Sequence, residues 1–446
     1  MSSYCEAIGL ETGSNLRNGF MPKKQKELSR FRCIKCGKEY GIKETIYKCS
    51  CGSLLEVMTD FSKFQRSEKE WKRLFDEGKN RPAFLRYKDL LLPDLPDEKI
   101  ISLREGDTPL YGANKSMQDY FGIKNLMFKH EGMNPTLSFK DRGMVAGVSW
   151  ANYLGKKIVA CASTGDTSAA MAAYAAYAGI KSAVLIPHEK ISMEQLAQVI
   201  SYNAKVIALK TDFDGCMRIV KELADKNPVY LLNSMNSIRI EGQKAIVIET
   251  LHQLNWNVPD WFVIPVGNAG NISALGKGLR ELYDLGIIDK LPRIAGVQAE
   301  AANPLYLAYK NKFREFKRVP AKQTIASAIR IGNPVSYEKA AREIKYFKGV
   351  VEQVSEDELM DAKVVVDSSG ISICPNSGVA AAGTKKLSDN GIIKKDESVV
   401  VIATAHGSKF SKSIADYHSC NKKFSNRINV VEPELGEVEK CLGLAV

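Results

Sequence analysis

Apolar residues in this chain gather into short unbroken runs, and between the runs they recur at helical spacing. NLMFKHEG (Asn125 to Gly132) reads as a strand, and Met144, Val148, Ala151 and Leu154 mark one face of the helix that follows. IVACAS (Ile158 to Ser163), a helix from Thr167 stopped by Gly179, and SAVLIP (Ser182 to Pro187) form one strand–helix–strand unit. AKVIALK, a helix after Asp214, and VYLLN (Val229 to Asn233) form another. WFVIPV (Trp261 to Val266) precedes a helix with Ile272, Leu275, Leu279 and Leu282 on one face and Gly286 as its stop, and IAGVQA (Ile294 to Ala299) and SVVVIATA (Ser398 to Ala405) continue the alternation. Runs apolar throughout, alternating with helices, predict an α/β protein built on parallel sheets covered on both faces.

The two ends of the pattern differ from its middle. Residues 1–30 are polar and irregular, with Met21 a second possible start, and predict a mobile tail. Residues 31–60, FRCIKCGKEYGIKETIYKCSCGSLLEV and its flank, read as a cysteine knuckle. A charged helical linker (Glu68 to Asp76) and a Pro-rich loop (Leu92 to Asp97) lead into the α/β region.

The chain has 446 residues, 45% hydrophobic and 26% charged, enough for a sizeable core and far from a disordered composition. Its longest apolar candidate, AAMAAYAAYAGI from Ala169, is shorter than the roughly 20 residues a membrane span needs, so no membrane partner is expected. Glu6 and Glu11 sit where a signal or transit peptide would be basic and apolar, which points to the cytoplasm. The net charge of +12 is spread without a Lys/Arg block, and aromatics are not interleaved with one, so a nucleic-acid partner is not expected either. Of ten cysteines, Cys5, Cys161, Cys216, Cys374, Cys420 and Cys441 are scattered and read as small apolar residues or idle thiols.

Four stretches carry chemistry. PVGNAGN (Pro265 to Asn271) lies between a strand and a helix; its glycines let successive N–H groups point inward, and the helix start adds positive potential, a cradle for phosphate. It is neither GxGxxG nor a Walker loop, because Ala269 replaces a needed glycine and no lysine follows. CASTGDTSAA (Cys161 to Ala170) offers the hydroxyls of Ser163, Thr164, Thr167 and Ser168 at another helix start, suited to a carboxylate or a second phosphate. NSMNSIRIEGQK (Asn233 to Lys244) supplies Arg239 as a bidentate phosphate clamp. Taken singly, each is equally what a plain turn, an N-cap or a solvated arginine would show. The fourth is MNPTLSFKDRGM, which puts Lys140 at a helix opening, where dipole and burial lower an amine's pKa as a Schiff-base lysine requires. An imine-forming lysine with a phosphate cradle and a second anion site points to pyridoxal phosphate. TDFDGC looks like a calcium loop but has Leu223 at its twelfth position and is dismissed.

EGDTPL, HEGMNPTLSFKDRG, ASTGDTSAAMAAYAAYAG, NSMNSIRIEGQK, PVGNAGN and ATAHGSKF occur in the order found in threonine synthases, over roughly Glu105 to His418. On these motifs the chain resembles that family, pyridoxal-phosphate enzymes of fold type II (tryptophan synthase β-like), and TDFDGCMRIVKEL, GVQAEAANPLYLAYK and ASAIRIGNPVS resemble its plant-type branch. The resemblance implies two parallel-sheet α/β domains, a larger one of residues 61–155 with 235–446 that binds the cofactor and a smaller one of residues 156–234, with a small N-terminal Cys-rich ribbon. It implies that Lys140 is the catalytic, cofactor-linked lysine, that Gly267, Asn268, Ala269, Gly270 and Asn271 surround the cofactor phosphate, that Thr404 faces the pyridine nitrogen, and that Asp166 stands beside the ring hydroxyl where many members have Asn. It points Ser163, Thr164, Thr167, Asn233, Ser234 and Arg239 at the carboxylate and phosphate of O-phospho-L-homoserine, which water converts to L-threonine and phosphate. It further implies a homodimer, and in the plant-type branch activation by S-adenosylmethionine.

The knuckle departs from that branch. Cys33 and Cys36 form CxxC and Cys49 and Cys51 form CxC, a zinc set or else a metal-free hairpin. His130 and His406 read as structural histidines. A phospho-lyase, a threonine or serine dehydratase, a sulfur-transfer synthase of the same fold, and a non-catalytic zinc-ribbon protein are the competing readings.

Overall fold

The computed structural model describes residues 27–188 and 193–444. Most of the expected tail, with Met21 and Cys5, lies outside the described residues; the chain is in a strand from Ser29 onward. Strands β1 (Ser29–Cys33), β2 (Glu39–Gly41) and β3 (Leu55–Thr59) form an antiparallel sheet in the order β2-β1-β3. Next come β4 (Leu110–Gly112) and β5 (Asn125–His130), then β6 (Ile158–Ala162), β7 (Lys181–Pro187), β8 (Lys205–Leu209) and β9 (Val229–Leu231), and finally β10 (Trp261–Pro265), β11 (Arg293–Ala299), β12 (Val350–Val354) and β13 (Ser398–Ala403).

The last four join β4 and β5 in a six-stranded sheet, β12-β11-β10-β13-β5-β4, and the four between them make a separate parallel sheet, β8-β7-β6-β9. The expected all-parallel pattern therefore needs one correction: edge strand β4, from the EGDTPL region, runs antiparallel to β5. Strand β10 is buried at every position and β13 at all but its first, as the unbroken apolar runs require of strands covered on both faces. Among the described residues no helix is long and apolar enough to cross a membrane.

The charged segment expected as a linker is a docked helix, Glu68–Glu77, closed by a Ser67/Glu70 capping box. It buries Trp71 and Phe75, and Phe75 meets the ring of Tyr87 at 5.3 Å and that of Trp256 at 5.8 Å. Its charged positions are only the outer face of a helix anchored by aromatics.

Helix Lys140–Tyr153 packs on helix Ser237–Gln243 at backbone range. Side chains would prevent this: a Cβ at Gly242 would collide with the Arg142 carbonyl, and one at Gly147 would stand 3.3 Å from Arg239 Cγ. Arg142 is also tied to Glu131 at 2.7 Å and Glu249 at 2.8 Å, and Lys129 reaches Glu249 at 2.6 Å, all four fully buried. This closed ion network holds the helix start, and with it Lys140, against β5 and the Ala245–Gln253 helix.

Candidate active site

The C-terminal ends of β5, β6, β10 and β13 face one cavity of about 420 Å³. In open α/β sheets a crevice at that edge is where ligands bind. Lys140, Ser163, Thr164, Asp166, Thr167, Asn233, Ser234, Arg239, Gly267, Asn268, Ala269, Gly270, Asn271 and Thr404 all line it. Residues drawn from motifs far apart in the chain thus share one wall.

Lys140 is half-buried, its amine 4.1 Å from the Phe139 ring centroid and without a hydrogen-bond partner among the described residues. Burial and, less strongly, the Arg239 charge push its pKa down to about 7 against the opposing pull of Asp166. An amine so placed is substantially neutral near pH 7 and nucleophilic.

Gly267, Asn268 and Ala269 donate their N–H groups to no protein acceptor among the described residues, and Gly270 opens the helix Gly270–Asp284. Ala269 takes a left-handed conformation, φ 64°, which turns the chain into that helix. At Gly267 a Cβ would come 2.9 Å from Ile329 Cα, so only glycine lets the loop pass under the 327–331 segment. The two asparagines hold the loop rather than face outward: Asn271 Nδ2 donates to the Pro265 carbonyl at 2.7 Å, and Asn268 Oδ1 accepts from Val335 N–H at 3.3 Å. Anion binding falls to the backbone.

Arg239, which lines the same cavity, is buried, donates to the Leu232 carbonyl at 2.9 Å and keeps a buried Nε–H with no partner among the described residues. Burial lowers its pKa to about 10, so it stays charged at neutral pH and lacks a counter-ion in contact. A buried, incompletely satisfied guanidinium demands an anion. Asn233 bonds both the N–H and the carbonyl of Ala162, at 3.0 and 2.9 Å, fastening β9 to β6. Ser168 is fully buried and donates to the Gly165 carbonyl at 2.7 Å, outside the cavity wall.

Thr404 follows β13, and its hydroxyl lies 3.3 Å from Ser377 Oγ, which also accepts from Thr404 N–H at 2.8 Å. His406 Nδ1 bonds Ser408 at 2.8 Å and His130 Nε2 meets the Ser372 carbonyl at 2.9 Å, both as structural histidines would. Sequence reasoning missed Ser377, Gln243, Asn376 and Lys409. The last lies 2.7 Å from Asp166 Oδ1, and Gln243 Oε1 and Asn376 Oδ1 are buried without partners in the cavity wall. Gln243 and Lys409 sit inside quoted motifs, whereas nothing in the chain around Ser377 or Asn376 marks them.

A neutral amine, a glycine-bordered set of N–H groups at a helix start without protein acceptors among the described residues, and the Thr404 hydroxyl in the same cavity fit pyridoxal phosphate, and the fold and cavity together define a pyridoxal-phosphate-dependent enzyme of fold type II. The family model for "Pyridoxal-phosphate dependent enzyme" matches residues 101–405. The chain is 46% identical over 397 residues to threonine synthase 2, chloroplastic, of Arabidopsis thaliana, covering 86% of this chain and 77% of that one. It is 47% identical over 379 residues to the threonine synthase of Methanocaldococcus jannaschii, covering 85% and 92%. The chain belongs to the threonine synthase family. Its fold is similar to that of the crystal structure of threonine synthase from Escherichia coli, with a TM-score of 0.67, 18% identity and 92% and 94% of the two chains covered. Maize serine racemase shares the fold at a TM-score of 0.59 and 20% identity, over 70% of this chain and 92% of that one.

Proposed function

We propose that this chain converts O-phospho-L-homoserine and water to L-threonine and phosphate. The bond from Cγ to the ester oxygen breaks and phosphate leaves; water's hydroxyl joins Cβ and its proton goes with phosphate. One hydrogen leaves Cβ and one arrives at Cγ, which ends as the methyl group. Bound pyridoxal phosphate supplies delocalisation of the electron pair left on carbon when a proton is removed.

The chain's own residues do the rest. Lys140 tethers the cofactor through its amine, then takes the Cα proton and returns it, a task suited to a group poised near neutral pH. The N–H groups of Gly267 to Asn271 hold the cofactor phosphate, Thr404 faces its ring nitrogen as a neutral hydroxyl, and Asp166 stands by the ring hydroxyl with Lys409 as counter-ion. Ser163, Thr164, Thr167, Asn233 and Ser234 orient the substrate carboxylate and phosphate, and Arg239 stabilises the departing dianion.

One observation carries the reading: a single cavity brings an unpaired amine together with two separate anion sites, one of backbone N–H groups and one of a buried guanidinium. A hydroxy-amino acid brings only its carboxylate to the second site, whereas a phosphorylated substrate also brings a dianion for the Arg239 guanidinium. Incubation of the cofactor-loaded protein with O-phospho-L-homoserine should release phosphate and threonine in equal amounts, with O-phosphoserine giving neither; a 2-oxo acid in place of threonine would make it a phospho-lyase instead.

We further infer that residues 61–155 with 235–446 and residues 156–234 act as large and small domains around this cleft, that the protein works in the cytoplasm, and that it is a homodimer. Ile428 is 92% and Val430 91% exposed, and helix Leu435–Leu442 buries nothing, an apolar C-terminal segment that a second copy would cover. Light scattering on the eluted protein should give twice the mass of one chain.

A further inference from the structure

The ribbon of β1 to β3 carries two tight loops. Those loops bring Cys33, Cys36, Cys49 and Cys51 together with all four Sγ atoms within 4.8 Å of one another. The loops have the same build. Gly37 N–H returns to the Cys33 carbonyl at 3.1 Å and Gly52 N–H to the Cys49 carbonyl at 2.8 Å, each glycine at positive φ, 74° and 85°. In the first loop the N–H groups of Lys35 and Cys36 both point at Cys33 Sγ, at 3.5 Å. Backbone donors aimed at sulfur stabilise thiolate charge, and four converging cysteine sulfurs are the ligand set that holds a soft divalent ion tetrahedrally.

The same ribbon grips the wall that carries Arg239. Tyr47, two residues before Cys49, accepts from Leu231 N–H at 2.7 Å, and Arg239 donates to the Leu232 carbonyl next along. The Leu55 carbonyl in β3 accepts from Ser237, the first residue of the Arg239 helix, and from Lys339, both at 2.6 Å. Lys277 reaches the Val57 carbonyl at 2.5 Å, and Arg342 pairs with Glu56 at 2.9 Å. The segment from Leu231 to Arg239 is thus clamped at both ends by the ribbon, one clamp immediately before and one shortly after the second cysteine pair.

We propose that Cys33, Cys36, Cys49 and Cys51 bind one structural zinc ion, and that the metal positions Arg239 by fixing Tyr47 and the Leu55 carbonyl against the Leu231–Arg239 segment. The second half rests on Arg239 binding the substrate phosphate, the role proposed for it in the reaction; the first does not. Tyr47 and Ser237 are positioning residues, acting through Arg239.

Metal analysis of the full-length, cofactor-loaded protein purified under reducing conditions should find one zinc per chain, and Cys49→Ser/Cys51→Ser should lose it while Cys420→Ser keeps it. Absence of metal in the parent, or a Cys33–Cys51 or Cys36–Cys49 disulfide, overturns the site; iron in the same stoichiometry overturns the choice of zinc. Should the double variant not fold, Tyr47→Phe tests the coupling with the metal in place. It should retain zinc and the cofactor's visible absorbance, yet raise KM for the phosphorylated substrate about tenfold. An unchanged KM in Tyr47→Phe, and in parent protein stripped by a chelator, overturns the coupling. Threonine formation by the metal-loaded parent is measured first, so that failure of the assigned reaction is seen separately from failure of the metal site.

Discussion

Lys409 Nζ and Asp166 Oδ1 meet at 2.7 Å in the lining of the cavity, joining the loop after β13 of the six-stranded sheet to the helix after β6 of the four-stranded one. Both side chains are largely buried, so the pair acts in a weakly screened setting and is felt by Lys140, whose amine Asp166 pushes toward protonation. Asp166→Asn should therefore move the Lys140 pKa below about 7, and Lys409→Met should move it up. The rate at which cofactor-free protein takes up pyridoxal phosphate depends on the neutral amine, so its pH profile should shift to lower pH in the first variant and to higher pH in the second. Two profiles superposed on the parent's would remove Asp166 from any control of that amine.

Arg239 combines a fixed N–H to the Leu232 carbonyl with a buried, unpartnered Nε–H. Lysine at this position keeps a charge but not the planar fork. Arg239→Lys should lower kcat/KM for phosphate release by about 10- to 100-fold, the worth of one or two charge-assisted hydrogen bonds, while cofactor absorbance is retained. Equal loss of absorbance and turnover would assign Arg239 to the cofactor rather than the substrate.

Arg142 stands between Glu131 and Glu249 with no solvent access. Burial pushes both carboxyls up, but the cations outweigh it and hold both below the ordinary carboxylate range. Arg142→Met leaves Glu131 with no cation in contact and should destabilise the fold by about 3–5 kcal/mol in denaturant titration. Adding Glu131→Gln removes the stranded charge and leaves Lys129 paired with Glu249, so the double variant should recover part of that loss. Additive losses would mean that Glu131 and Arg142 do not act as a pair.

What could be read from the chain follows from how local each signal is. Strands such as β10 and β13 are buried on both faces and announce themselves as apolar runs, and the Gly267–Asn271 loop stands out by two glycines between a strand and a helix. Strand β12 escaped notice because VVEQV is short and only partly buried, and β4 because three residues carry no period. Lys409 resembles any surface lysine until Asp166 is placed beside it, and Phe75 looks incidental in a charged stretch until Tyr87 and Trp256 close over it. Pairings across long chain separations leave no mark on either partner's neighbours.

Lys140 also sets a pH dependence of stability, and its sign follows from burial lowering the amine's pKa. The folded value, about 7, lies below the ordinary 10.5, so between those values the unfolded chain holds a proton that the folded one lacks. Stability of the cofactor-free protein should then rise with pH across that window through this group, the penalty of a buried charged amine being complete below it and absent above it. Lys140→Met removes the penalty. It should stabilise cofactor-free protein by on the order of 3 kcal/mol at about pH 6, counting about 1.4 kcal/mol for each tenfold loss of proton affinity and allowing for screening by water in the cavity. The advantage should shrink toward zero near pH 10. Melting temperatures of the two proteins across that range check it: a gap that stays constant with pH would mean that the amine folds with its charge intact, and a lysine in that state could neither tether the cofactor nor take a proton from substrate.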